Sequence, residues 1–148
     1  MAQKKLDKSI PVISVPSDYV PSPKEEYMNA LQLEYFRQKL EVWKRELLKG
    51  SIEVLSHMKE ATLNESDIVD RASTETDRAF ELMTRQRDRK LLHKINEALK
   101  RIEAGGYGFC EETGEPIGLS RLQARPVATL SVEAQERRER SGRVHHEK

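Results

Sequence analysis

Apolar residues recur along the middle of the chain at helical intervals. Phe36, Leu40, Trp43 and Leu47 stand 4, 3 and 4 apart, and after a one-residue step Leu48, Ile52, Leu55 and Met58 carry the pattern on. Phe80 and Met83 open a second stripe, which resumes at Leu92, Ile95, Leu99 and Ile102. Each stripe is the narrow face of a helix that buries a single seam. Between them lies a short acidic break, residues 64–72, and no proline interrupts either side. The pattern predicts a long antiparallel coiled-coil hairpin over residues 33–105, its tip at 64–72. At ~1.5 Å of rise per residue, arms of about thirty residues reach ~45 Å, so the tip projects beyond a compact small domain.

One place along the shaft breaks the pattern on both arms. Gly50 costs its helix ~1 kcal/mol relative to alanine. With the turn centred near residue 68, it falls roughly opposite Gln86, inside the polar run Thr84-Arg85-Gln86-Arg87-Asp88-Arg89-Lys90. Two readings stand side by side. Either the arginines pair with Glu46 and Glu53 across a tolerated defect, or they form a basic band that contacts a partner.

Outside the hairpin the signals are shorter. Pro11, Pro16, Pro21 and Pro23 forbid a long helix at the start, and Ser22-Pro23 with Glu25 after it reads as a helix start. Residues 1–32 are expected to dock on a globular base. Ala104-Gly105-Gly106 reads as a helix end, and the glycines up to Gly118 predict tight turns and a short hairpin. Residues 106–140 then supply the base and a last helix from Ser131 that Ser141-Gly142 ends, leaving 141–148 as a disordered tail. His145 and His146 have no further ligands near them and receive no metal role. The fold class is mainly α.

Composition narrows the partners. Charged residues make up 34% of the 148, hydrophobic ones 36%, and the net charge is only +1, so the globular core is small and the helix faces are solvated. No broad basic surface for duplex DNA is present. A single cysteine excludes an internal disulfide framework and fits a reducing compartment. With no signal peptide or membrane-length apolar run in the sequence, a cytoplasmic protein is expected.

Tyr107-Gly108-Phe109-Cys110, then Gly114-Glu115-Pro116-Ile117-Gly118 and Arg121-Leu122-Gln123-Ala124-Arg125-Pro126, resemble the zinc-finger region of the DksA/TraR family. Glu25-Glu26-Tyr27-Met28-Asn29 and Asp67-Ile68-Val69-Asp70-Arg71-Ala72 match its DksA branch, as opposed to the shorter TraR proteins. The resemblance implies a monomeric transcription factor without enzymatic activity. Such a factor inserts its hairpin into the secondary channel of bacterial RNA polymerase and acts with ppGpp on initiation, with no sequence-specific DNA binding. Matched positions place Asp67, Asp70 and Ala72 at the polymerase-facing tip, and Arg87 on the shaft at the channel entrance. They place Leu91, Lys94 and Arg125 at a ppGpp site shared with polymerase. A basic family position is Gln135 here, one charge fewer near that site.

Asp70 also reads as a helix N-cap and Asp67 as a turn-holding residue, and a cap at an exposed helix end is compatible with either role. Tip carboxylates that instead held the catalytic magnesium would make the chain a Gre-like promoter of transcript cleavage. The largest departure from the family lies in the finger, where its four cysteines correspond to Cys110, Thr113, Ser131 and Ala134. One thiol, two hydroxyls and a methyl do not supply four zinc ligands, so no zinc and no other tightly bound cofactor is expected. Glu111, Glu112 and Glu115 nearby are hard oxygen donors, better suited to magnesium or calcium.

Overall fold

The computed structural model describes residues 13–63 and 68–146. Two long helices dominate it: α1, Ala30–Leu63, and α2, Ile68–Ala104. Two short ones follow, α3 over Leu119–Ala124 and α4 over Val132–His146. The 34 and 37 residues of α1 and α2 extend ~50 and ~55 Å at ~1.5 Å per residue. They run antiparallel: His57 Nδ1 of α1 lies 3.1 Å from Glu81 Oε1 of α2. This is the expected hairpin on a small base.

The first arm begins later than Ser22-Pro23 suggests. Those residues form a turn instead, with the Glu25 N–H donating to Ser22 O at 3.1 Å. The start is at Asn29, whose Oδ1 accepts the Gln32 N–H at 2.8 Å while Gln32 Oε1 reaches back to the Met28 N–H at 2.8 Å. This reciprocal pair satisfies two otherwise orphaned donors, and it outweighs a proline start. Met28 is driven to φ 53° to make the entry.

The second arm ends as its glycines require. Gly105 takes φ 84°, and the N–H groups of Gly105 and Gly106 return to Ile102 O and Arg101 O at 3.3 and 3.0 Å. That is a Schellman closure. Beyond it the expected short hairpin is reduced to one antiparallel bridge, Phe109 with Pro116. At the far end α4 passes through Gly142 to His146, so neither the stop at Ser141-Gly142 nor a disordered 141–146 is seen. One glycine costs ~1 kcal/mol in a helix and does not by itself break it. Residues 147–148 lie outside the described part.

The core sits at one end of the rod. Phe36, Leu40, Ile95 and Ala98 from the two arms pack with Tyr107, Ile117, Leu122, Val127, Leu130 and Ala134 from the base. Away from this cluster the seam differs from the one the apolar spacing predicts. Sheltered positions on α1 run Phe36, Leu40, Trp43, Leu47, then Gly50 and Ser51. On α2 they run Glu81, Asp88, Ile95 and Ile102 at intervals of seven, with Thr84, Leu91, Ala98 and their neighbours between. Leu48, Ile52, Leu55, Phe80 and Met83, read as seam residues, are exposed. Two helices in continuous contact keep a 3.5-residue repeat. Glu81 and Asp88 hold that phase, and Phe80 and Met83 stand one and two residues away from it. On α2 the distal seam positions are therefore polar while its apolar residues Phe80 and Met83 face outward.

Candidate functional site

Gly50 lies two or so residues from the level expected, since Leu47, Ser51, Asp88 and Leu92 line one cleft across the seam. Among the described residues no ion pair joins Arg85, Arg87, Arg89 or Lys90 to Glu46 or Glu53. Arg87 is exposed. Of the two readings of this band, intramolecular pairing is the one the geometry removes.

Asp67 lies outside the described residues. Asp70 is the third residue of α2, inside its first turn instead of at its cap, and there a negative charge still favours the positive helix end. Ala72 follows on the same turn; the side chains of both lie outside what is described. Leu63 and Ile68, the helix ends on either side of the break, are at the far end of the rod from the core.

The three residues of the expected ppGpp site fall at the base. Leu91 packs on the edge of the core, while Lys94 and Arg125 are exposed. Arg125 lines a shallow cleft with Ile117, Leu119 and Val132, and neither Leu91 nor Lys94 lines it. Gln135 bonds to Glu139 on its own helix.

In the finger, each former ligand position has a local task. The Ser131 Oγ caps α4, accepting the Ala134 N–H at 3.2 Å. Thr113 Oγ1 accepts the Glu115 N–H at 3.3 Å. Ala134 is fully buried in the core. Burial pushes the Cys110 thiol up, but the Thr113 hydroxyl and the N–H groups of Ser131, Thr113 and Glu112 aimed at its sulfur outweigh this and hold it at about 6. Two of the nearby carboxylates have other partners: Glu112 meets Arg138 at 2.8 Å and Glu111 faces Arg101 at 3.9 Å. This donor set does not fit tetrahedral zinc. Among the described residues, no cluster of three or more His, Cys, Asp or Glu side chains is placed to hold a metal ion.

The finger is tied to the arms by groups that the motif spacing does not single out. Tyr27 Oη donates to Gly108 O at 2.6 Å and accepts the Gly118 N–H at 3.0 Å. Gly108 has φ 89°, and a Cβ there would come within 2.7 Å of the Met28 side chain. Arg101 reaches from α2 to Phe109 O at 2.7 Å, and buried Tyr107 donates to Pro126 O at 2.7 Å. Burial pushes the Tyr107 phenol up, out of reach of ordinary pH. Lys39 holds Gln123 by its backbone and side-chain oxygens. The Asn29-x-x-Gln32 pattern was the available sequence signal for this entry. Nothing local announces that Tyr27 spans to Gly108 and Gly118.

Two family models match consecutive stretches of the chain. The DnaK suppressor protein DksA N-terminal domain covers residues 32–102, and the prokaryotic dksA/traR C4-type zinc finger covers 105–140. The RNA polymerase-binding transcription factor DksA of Caulobacter vibrioides is 63% identical over 131 residues, 88% of this chain and 92% of that protein. The chain belongs to the DksA family. The protein of the same name from Escherichia coli is 40% identical over 88% of this chain and 87% of its own length. The structure of transcription factor DksA2 from Pseudomonas aeruginosa superposes with a TM-score of 0.75 at 42% identity, covering 81% of this chain and 94% of that one. Within this DksA frame the C4-type finger keeps one cysteine of four. No described helix is long and apolar enough to cross a membrane.

Proposed function

We propose that this chain is a DksA-type transcription factor that binds RNA polymerase. It inserts the hairpin into the secondary channel and, with ppGpp, modulates initiation without structural zinc. It acts in the cytoplasm as a monomer and catalyses no reaction itself. The observation that carries the reading is a rod of ~50 Å with its acidic break at the end away from the base. Such a shape delivers charge to a depth that the globular part cannot enter. The relatives that match over nearly the whole length are named for binding RNA polymerase.

The tip acts by differential contact: it favours one state of an initiation complex over another and thereby shifts its population. Asp67, Asp70 and Ala72 make that contact, Arg87 meets the entrance, and Leu91, Lys94 and Arg125 complete a ppGpp site with polymerase. Guanidinium and ammonium groups suit a pyrophosphate. The finger supports the hairpin through Tyr27, Arg101 and Tyr107 in place of a metal.

The test is in vitro initiation at a ribosomal-type promoter with and without ppGpp. Asp70→Asn should bind core polymerase like the parent and lose its effect on initiation; full regulation by that variant sinks the tip assignment. Robust shortening of RNA in backtracked complexes would replace the reading with transcript cleavage. Metal analysis of the native protein should find far less than one zinc per chain, and one EDTA-resistant zinc would overturn the zinc-free finger.

A further inference from the structure

The outer surface of the distal shaft carries a second pattern. Ile52 on α1 is 65% exposed, and Phe80 and Met83 on α2 are 72% and 69% exposed, with Leu55 also open to solvent. Ile52 is five residues past seam residue Leu47, and Met83 is two past seam residue Glu81. At ~100° per residue these steps turn them ~140° and ~200° away from the seam, toward opposite outer faces of the rod. The level at which His57 meets Glu81 puts Leu55 and Met83 at the same depth. The four side chains thus form a girdle around the shaft, and the α2 residues turned inward beside them are the polar Glu81, Thr84 and Asp88.

Immediately toward the base the charge changes. Residues 44–53 and 85–94, which lie at the same depth, hold eight Lys and Arg against three acids, Glu46, Glu53 and Asp88, in a chain whose net charge is +1. Among the described residues none of these eight cations is paired to a carboxylate. Lone exposed apolar residues are ordinary; a ring of them with an unneutralised cationic collar behind it is an interface pattern.

We propose that the distal shaft is built to be sleeved: one partner wall surrounds it, apolar at the depth of Ile52, Leu55, Phe80 and Met83, and lined with carboxylates at the mouth where the collar sits. A flat surface or an open groove would cover only one of the two outer faces. This rests on the polymerase-channel reading, and it adds that the apolar girdle grips on both sides while the collar steers entry.

The experiment compares two double variants of the full chain, Ile52→Gln with Leu55→Gln, and Phe80→Gln with Met83→Gln, for binding to purified core RNA polymerase. Glutamine keeps helix propensity, and circular dichroism and melting check that each variant folds. Sleeving predicts that each pair weakens binding ~10-fold or more, as loss of two buried anchors does. It also predicts that Arg87→Ala with Lys90→Ala flattens the dependence of affinity on salt, which the apolar pairs leave steep. If the α1 pair binds like the parent, the wall is one-sided and the proposal fails, whatever the α2 pair does. Self-association of the parent at micromolar concentration, abolished by the same variants, would make a second copy the occupant and overturn it. A parent that does not bind polymerase removes the functional reading and the proposal together.

Discussion

Removing one oxygen tests whether the finger is held by hydrogen bonds in place of a metal. In Tyr27→Phe, the ring keeps its edge-on packing against Phe109, at 5.5 Å between centroids, and only Oη is lost. That atom bridges Gly108 O and the Gly118 N–H. The two partners do not suffer alike. Gly108 O also accepts the Ile117 N–H at 2.8 Å, so it stays satisfied. The Gly118 N–H, half sheltered, has no other described acceptor. One replaceable bond and one stranded donor come to about 1–2 kcal/mol, less than two wholly buried losses would cost. For a chain of this size that is a fall in Tm of ~2–8 °C. Tyr35→Phe is the control: its hydroxyl bonds Gln123 Oε1 at 3.1 Å, an oxygen that Lys39 also supplies at 2.9 Å, so its loss should cost about 0.5 kcal/mol or less. Urea unfolding of both variants, with and without EDTA, reads the difference. A Tyr27→Phe protein as stable as the parent, or any loss of stability with EDTA, would refute the argument.

Further outcomes follow from the same geometry. Because Cys110 is the single thiol and is held at about 6, its thiolate absorbance at 240 nm should rise near that pH; a midpoint above 8 would contradict the cradle of donors. The folded value is depressed below the ordinary thiol value of 9.0, so the stability it adds is full above about pH 9 and lost as pH falls toward 6. Glu25, held low chiefly by the Tyr19 hydroxyl and then by Asn29 and Gln32, works in the same direction at lower pH; Glu25→Gln should flatten the acid limb of the melting curve. Gly50→Ala should stabilise α1 by ~1 kcal/mol in urea unfolding or hydrogen exchange, since a Cβ there meets nothing within 4 Å. Destabilisation would mean that the seam closes more tightly at Gly50 than this.

How much the chain disclosed about itself depended on the range of the interaction. The two long helices, the acidic break between them and the glycine closure at Gly105 come from contacts within a few residues and are legible in the residue order, although the start of α1 and the stop of α4 are not. The loss of zinc ligands was equally visible, because three of four cysteines are simply replaced at Thr113, Ser131 and Ala134. The phase of the seam was not. Phe80-Met83 and Glu81-Asp88 are neighbouring stripes on one helix, with nearly the same period, and the apolar one is the natural choice from spacing alone. Only the facing helix, clamped at the base by Phe36, Leu40, Ile95 and Ala98, decides which of them turns inward. The bridge from Tyr27 to Gly108 and Gly118 likewise spans more than eighty residues, and no local preference encodes it. Backbone propensity and capping thus determined that there is a rod and where it stops. Packing at its base determined which faces the rod leaves for another molecule, because a helix rotates as a unit and one fixed end sets the phase of the other.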